Sequence, residues 1–112
     1  MAQSTLQSWV RNHFNKEDWS DIVEHGCVSG FPYISYTRDC VRLYNRYEAE
    51  IWEMLSAEAE AYGAKSPIDF IWEAFSEQAK AGMYSADGFK DHLLWWAVET
   101  IAAGLLDPVA AV

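Results

Sequence analysis

The amino-acid sequence predicts an all-α fold, a compact single-domain bundle of about five helices over residues 1–112. Three observations lead to this prediction. Apolar residues recur every three or four positions through most of the chain. Capping residues precede these segments, and three of the segments end at a glycine. The alternation of apolar and polar residues that is typical of strands is absent outside residues 33–36, for which a short extended piece is the alternative.

The first two helices are predicted from one cap each. Ser4 precedes a set of apolar residues that share one helical face, namely Leu6, Trp9, Val10 and Phe14. Asn15 precedes a second helix, with Glu17 and Asp18 in the first turn, where the helix dipole favours acids. Gly26 ends it, because glycine readily adopts the left-handed conformation that follows many helices.

A loop and the longest helix come next. Residues 26–36 read GCVSGFPYISY, and their glycines and proline interrupt the helical spacing. Thr37 is the expected cap of a helix that runs to Tyr62, with Gly63 behind it. The buried stripe expected along this helix consists of Val41, Tyr44, Ile51, Trp52, Leu55, Ala59 and Tyr62, broken only by Glu48.

Two more helices complete the predicted bundle. Ser66 followed by Pro67 is a strong start signal for a helix that continues to Gly82. Ser85 or Asp87 opens the last helix, which ends at Asp107. Because that helix is apolar on two faces, we expect it at the centre of the domain, with Leu93 and Trp96 nearly inaccessible.

The negative charge is concentrated in one part of the sequence. The formal net charge is −9, which argues against direct binding to nucleic acid or to an anionic membrane. Residues 48–77 carry eight acids and one base, for −7. An acidic, phosphate-mimicking surface is therefore a hypothesis for binding a basic partner, with an ordinary solvated face as the alternative. The candidate partner-binding residues are Glu50, Glu53, Glu58, Glu60, Asp69, Glu73 and Glu77.

The spacing of these acids extends the hypothesis. Asp69, Glu73 and Glu77 are four residues apart and would line one face of a single helix. Arginines show the same spacing at the start of the long helix, at Arg38, Arg42 and Arg46. A ladder of ion pairs with Glu17, Asp21 and Glu24 is the expected compensation, and an anion-binding site is the alternative.

No motif indicates catalysis, a cofactor or a metal. His25 and Cys27 form one H-x-C pair, whereas zinc sites usually contain two ligand pairs. No glycine-rich phosphate loop is present. The sequence therefore predicts a protein that is not an enzyme. The first residues lack a signal-peptide pattern, so we expect a cytosolic protein in which Cys27 and Cys40 are reduced, most simply buried and unlinked.

Several motifs resemble a family of small acidic proteins from bacteriophages and mobile elements. They are the Trp9-Val10 pair, the loop HGCVSG at 25–30, the run from Tyr36 to Trp52, and WAVE at 96–99. The family resembled here includes anti-CRISPR proteins that act on type I effector complexes, type I-C in particular. The motifs are aromatic and structural, so they indicate membership more than mechanism.

The resemblance implies a stoichiometric inhibitor in the host bacterial cytoplasm. Its partner would be a basic, nucleic-acid-binding CRISPR effector subunit, and the inhibitor would block target DNA binding directly or by displacing a subunit. The alternative is a phage-encoded acidic modulator of another host nucleic-acid-binding protein, such as a transcription factor or a toxin–antitoxin partner. The aromatic loop offers a second candidate contact surface at Phe31, Tyr33 and Tyr36.

Overall fold

The computed structural model describes residues 5–25 and 36–107, and no strand occurs in these two ranges. The prediction of an all-α fold is therefore confirmed. Six helices follow one another within these ranges, in the order α1 (Leu6–His13), α2 (Lys16–His25), α3 (Thr37–Tyr62), α4 (Pro67–Ala74), α5 (Glu77–Ala81) and α6 (Ala86–Leu106). Residues 33–35 and Cys27 lie outside the described residues. No described helix combines the length and the apolarity that crossing a bilayer requires.

Helix α6 occupies the centre of the fold and packs against α1, α2 and α3. Its buried residues surround the helix axis because apolar side chains cover two of its faces: Leu93, Leu94, Trp95, Ala97, Val98, Ile101 and Ala102. The expected central position is confirmed, as is the burial of Leu93. The expectation for Trp96 is wrong, because Trp95 fills the core while Trp96 is half-buried.

Most predicted helix ends are confirmed by their hydrogen bonds. The side chain of Asn15 accepts from Asp18 N at 2.9 Å, and Ser66 accepts from Asp69 N at 3.1 Å. Ser85 caps α6 by accepting from Gly88 N at 3.0 Å. Gly63 follows α3 with φ of +93°, a left-handed conformation that glycine adopts without steric cost.

Two predicted caps are wrong by one residue. The N-cap of α1 is Thr5, whose side chain accepts from Ser8 N at 3.0 Å while the Ser8 hydroxyl accepts from Thr5 N at 3.1 Å. Helix α3 begins after Tyr36, which makes no side-chain cap, so Thr37 is already helical. In both cases a neighbouring residue takes the extended backbone conformation that a cap requires.

The predicted fourth helix is divided in two. Phe75 has extended backbone angles of −73° and 149°, which end α4. Ser76 then caps α5 by accepting from Ala79 N at 3.1 Å. The break is stabilised by packing, because it directs Phe75 against Phe70 and Trp96, with ring centroids 6.1 and 6.2 Å away. Tertiary packing thus overrides a helical sequence pattern here.

Glu50 of α3 binds the start of α1. Its two carboxylate oxygens accept from Leu6 N at 2.6 Å and from Gln7 N at 3.2 Å. The first N–H groups of a helix have no partner within the helix, and a negative charge there also complements the helix dipole. This contact connects residues 44 positions apart and fixes α1 against α3.

The predicted arginine ladder is absent from the described part of the chain. Arg42 lies 3.9 Å from Asp39 on its own helix. The guanidinium groups of Arg38 and Arg46 lie over the rings of Tyr36 and Tyr47, at 5.3 and 5.2 Å. Cation–π contacts and one intrahelical ion pair therefore replace the expected pairs with α2.

We expect Glu50→Ala to lower the free energy of unfolding by about 1–2 kcal/mol, because two backbone N–H groups lose a charged acceptor. Glu53→Ala, on the same helix but exposed and without a hydrogen-bond partner in the described chain, is the matched control. Urea denaturation followed by circular dichroism measures both. Equal midpoints for the two variants would contradict a structural role for Glu50.

The two described glycines of α6 predict opposite effects of alanine. A Cβ on Gly88 would overlap the carbonyl oxygen of Gly82, whereas a Cβ on Gly104 would meet no atom within 4 Å. Gly88→Ala should destabilise the fold by about 1–3 kcal/mol through steric overlap. Gly104→Ala should stabilise it by up to about 1 kcal/mol through helix propensity. Thermal unfolding distinguishes them, and a stabilised Gly88→Ala variant would refute the close approach.

Candidate interaction surface

Six of the seven predicted partner-binding acids have exposed side chains. We name this set the acidic surface; it consists of Glu53, Glu58 and Glu60 of α3, Asp69 and Glu73 of α4, and Glu77 of α5. Glu50 differs from them because it is half-buried and binds α1. Its carboxylate is therefore assigned a role inside the fold.

The acidic surface belongs to neighbouring helices. Helix α4 packs against α3, and the rings of Tyr62 and Phe70 meet edge-to-face at 5.5 Å. The predicted single row of Asp69, Glu73 and Glu77 is wrong, because the break after α4 places Glu77 on a different helix. Its carboxylate lies 2.7 Å from the ammonium group of Lys80.

Lys80 holds the two short helices together. Its ammonium group donates to the carbonyl oxygen of Trp72 at 3.1 Å, near the end of α4, and pairs with Glu77 of α5. The Lys80 side chain is mostly buried, whereas that of Glu77 is almost fully exposed. Of the six acids, Glu77 alone has an ion pair within residues 5–25 and 36–107.

Exposed apolar side chains accompany the acids. Tyr62 and Ile68, at the end of α3 and the start of α4, are 55% and 44% exposed. Tyr84 is 82% exposed, and its ring lies 5.7 Å from that of Trp72. The helical spacing predicts Tyr62 on the buried stripe, which is wrong, and gives no indication that Ile68 and Tyr84 are exposed. Tyr62 and Ile68 lie at helix ends and Tyr84 lies in the turn before α6, positions from which a side chain can leave the core.

The aromatic loop is described at one residue only. Phe31 and Tyr33 lie outside the described residues. Tyr36 is exposed and lies beneath the guanidinium group of Arg38. The loop therefore stays a prediction as a contact surface.

An aromatic pocket opens between α4, α5 and α6. Its volume is about 350 Å³, and Phe70, Phe75, Trp95, Trp96, His92 and Glu99 contribute to its lining. The imidazole of His92 is fixed because its Nδ1 lies 2.7 Å from the carbonyl oxygen of Gly88, to which it donates. Burial raises the pKa of the Glu99 carboxyl group above its ordinary value. The sequence pattern places Glu99 only at the end of the WAVE motif at 96–99 and gives no indication of a pocket.

The described residues bring one set of potential metal ligands together. Ligand atoms of Asp21, Glu24 and His25 lie within 4.8 Å of one another at the end of α2. All three side chains are exposed, and such groups are common without a metal, so they support no metal assignment. Cys40 is buried in the core, as expected.

A family model described as a domain of unknown function, DUF7222, matches residues 3–110. The chain belongs to that family. No curated protein and no solved structure is significantly similar to this DUF7222 domain. The family match thus covers all six helices and the aromatic pocket of the DUF7222 domain, and its description assigns them no function.

Glu99 predicts a pH-dependent stability. Because its folded-state pKa is raised, stability from this group is greatest below the ordinary glutamate pKa and is lost as pH rises through the folded value. Glu99→Gln should therefore be more stable than the wild type at pH 7, by no more than about 1 kcal/mol given its partial exposure. At about pH 4 the difference should disappear.

Urea denaturation at both pH values measures this difference. Glu53→Gln, an exposed site with the same change of charge, is the control, and its stability should match that of the wild type at both pH values. A Glu99→Gln variant as stable as the wild type at pH 7 would show that burial of the carboxylate does not lower the free energy of unfolding.

Proposed function

We propose that this DUF7222 protein is a non-catalytic inhibitor that binds a basic, nucleic-acid-binding protein through its acidic surface. The observation that carries the proposal is the exposure of six carboxylates on α3, α4 and α5, in a segment with a net charge of −7. Five of the six have no ion pair in the described chain, so their charges are available to a partner. Such a surface attracts a groove that otherwise binds phosphates.

The aromatic side chains supply the second half of the proposed contact. Exposed charges mainly accelerate association, whereas desolvated aromatic anchors contribute most of the affinity in protein interfaces. Tyr62 and Ile68 are suited to that role because they are exposed and lie at the end of α3 and the start of α4, the helices that carry five of the six acids. The contact would bury these apolar groups and leave the carboxylates near the rim.

The resemblance supports a particular partner, a subunit of a type I CRISPR effector complex in the host bacterial cytoplasm. On that proposal the protein blocks target DNA binding, by occupying the DNA path or by holding a subunit away from its place. The alternative is a phage-encoded modulator of another host nucleic-acid-binding protein, such as a transcription factor or a toxin–antitoxin partner. Affinity capture from cells that carry a type I system, with the partner identified by mass spectrometry, distinguishes these possibilities.

Charge reversal tests the surface itself. We expect Glu53→Lys, Glu60→Lys and Glu73→Lys together to weaken binding to a purified type I-C effector complex by at least about tenfold at low salt. Glu77 is left intact because it pairs with Lys80. The matched control reverses Glu17, Asp21 and Glu24 of α2, which are also exposed and change the net charge by the same amount.

The control and the loop variants decide the interpretation. If both triple variants weaken binding equally, net charge alone is responsible, and the acidic surface is not the specific contact. Full affinity of the α3–α4 variant, combined with loss of binding by Tyr33→Ala or Tyr36→Ala, would move the contact to the aromatic loop. Binding should also weaken as salt rises, because charges are screened over about 10 Å at 0.1 M.

A further inference from the structure

The aromatic pocket has a chemical character that the acidic surface lacks. Phe70, Phe75 and Trp96 form a triangle of rings, with centroid separations of 6.1 to 6.3 Å. Phe75 and Trp96 are half-buried, so parts of their rings reach the opening. The pocket volume of about 350 Å³ is at the small end of the range for ligand pockets, which suits a single side chain better than a large cofactor.

Glu99 places a carboxylate in this apolar lining. It lies three residues after Trp96 and seven after His92, so the three side chains share one side of α6. No hydrogen bond or ion pair of its carboxylate occurs within residues 5–25 and 36–107. A partly desolvated carboxylate without such a partner favours the approach of a cation.

The lysines of α5 and α6, two helices that line the pocket, already have partners. Lys80 binds Glu77 and the carbonyl oxygen of Trp72. Lys90 donates to the side chain of Asn45 at 3.1 Å and lies over the ring of Tyr44 at 5.8 Å. Because no ion pair of Glu99 occurs among the described residues, a cation for it would come from outside the described chain.

We propose that the aromatic pocket receives an arginine side chain of the protein partner, with its guanidinium group on Glu99 and its stem against Phe75 and Trp96. This inference rests on the proposed function for the source of the arginine. A guanidinium group suits the pocket because it stacks on aromatic faces and pairs with carboxylates through two parallel N–H groups. An ammonium group is more strongly hydrated and loses more on leaving water.

Short peptides test the pocket without the partner. The main probe is acetylated and amidated Gly-Gly-Arg-Gly-Gly. Its citrulline counterpart keeps the shape and removes the charge, and its lysine counterpart and tetramethylammonium offer other cations. We expect the arginine peptide to shift the indole N–H signal of Trp96 in proton–nitrogen NMR spectra and the citrulline peptide to bind at least roughly fivefold more weakly. Trp96→Phe assigns the signal.

Variants of the full chain complete the test. Glu99→Gln should weaken the binding of the arginine peptide by about fivefold to tenfold. Glu17→Gln, an exposed site on α2 with the same change of charge, should leave it unchanged. Two results would overturn the inference: equal binding of the arginine and citrulline peptides, or unchanged binding of the arginine peptide to the Glu99→Gln variant. Tighter binding of the lysine peptide, or of tetramethylammonium, than of the arginine peptide would overturn the choice of a guanidinium group.

The outcome is separable from that of the proposed function. Charge reversal of the acidic surface leaves Glu99 intact, and the peptide titration requires no effector complex. Arginine binding without capture of a basic partner would count against the inhibitor proposal while supporting the pocket. Capture that survives Glu99→Gln at full affinity would refute the use of the pocket by that partner.

Discussion

The fold depends on the burial of α6. Helices α1 and α2 have only eight and ten residues, below the length at which isolated helices are stable in water. They form because their apolar faces cover α6, whose buried leucine, valine and isoleucine side chains each contribute roughly 1.5–3 kcal/mol when removed from water. Glu50 adds a directional contact by fixing the start of α1. A central apolar helix thus organises the shorter helices around it.

Local signals and tertiary contacts differ in how well the sequence reveals them. The caps at Asn15, Ser66 and Ser85 were predictable because each involves a hydrogen bond within one turn. The break after α4, by contrast, depends on how Phe75 packs against Phe70 and Trp96, which no local pattern encodes. The burial of Trp95 in place of the predicted Trp96 also depends on tertiary packing, since a rotation of α6 by one residue decides which ring is buried.

Charged groups were harder to place than apolar ones. The spacing of Asp69 and Glu73 correctly predicted exposed acids on α4, because positions opposite a buried stripe face the solvent. Equal spacing could not show that Glu50 would turn inward to a helix N-terminus, or that Arg38 and Arg46 would lie on tyrosine rings. These choices depend on which partner is within reach after folding. For the same reason the position of Glu99 in a pocket could not be predicted, because α4 and α5 complete that pocket only in the folded chain.

The two proposed contacts, the acidic surface and the aromatic pocket, would act at different distances from the partner. Exposed carboxylates of the acidic surface act over about one screening length, so they would orient the proposed basic partner as it approaches and chiefly influence the rate of association. On this proposal Glu99 would act only within the pocket, where partial burial reduces screening. An arginine that reaches it gains a charged contact and an aromatic one together, and both must break before the partner leaves. The affinity of such a complex would fall with salt mainly through slower association, while its lifetime would depend mainly on Glu99 and the rings beside it.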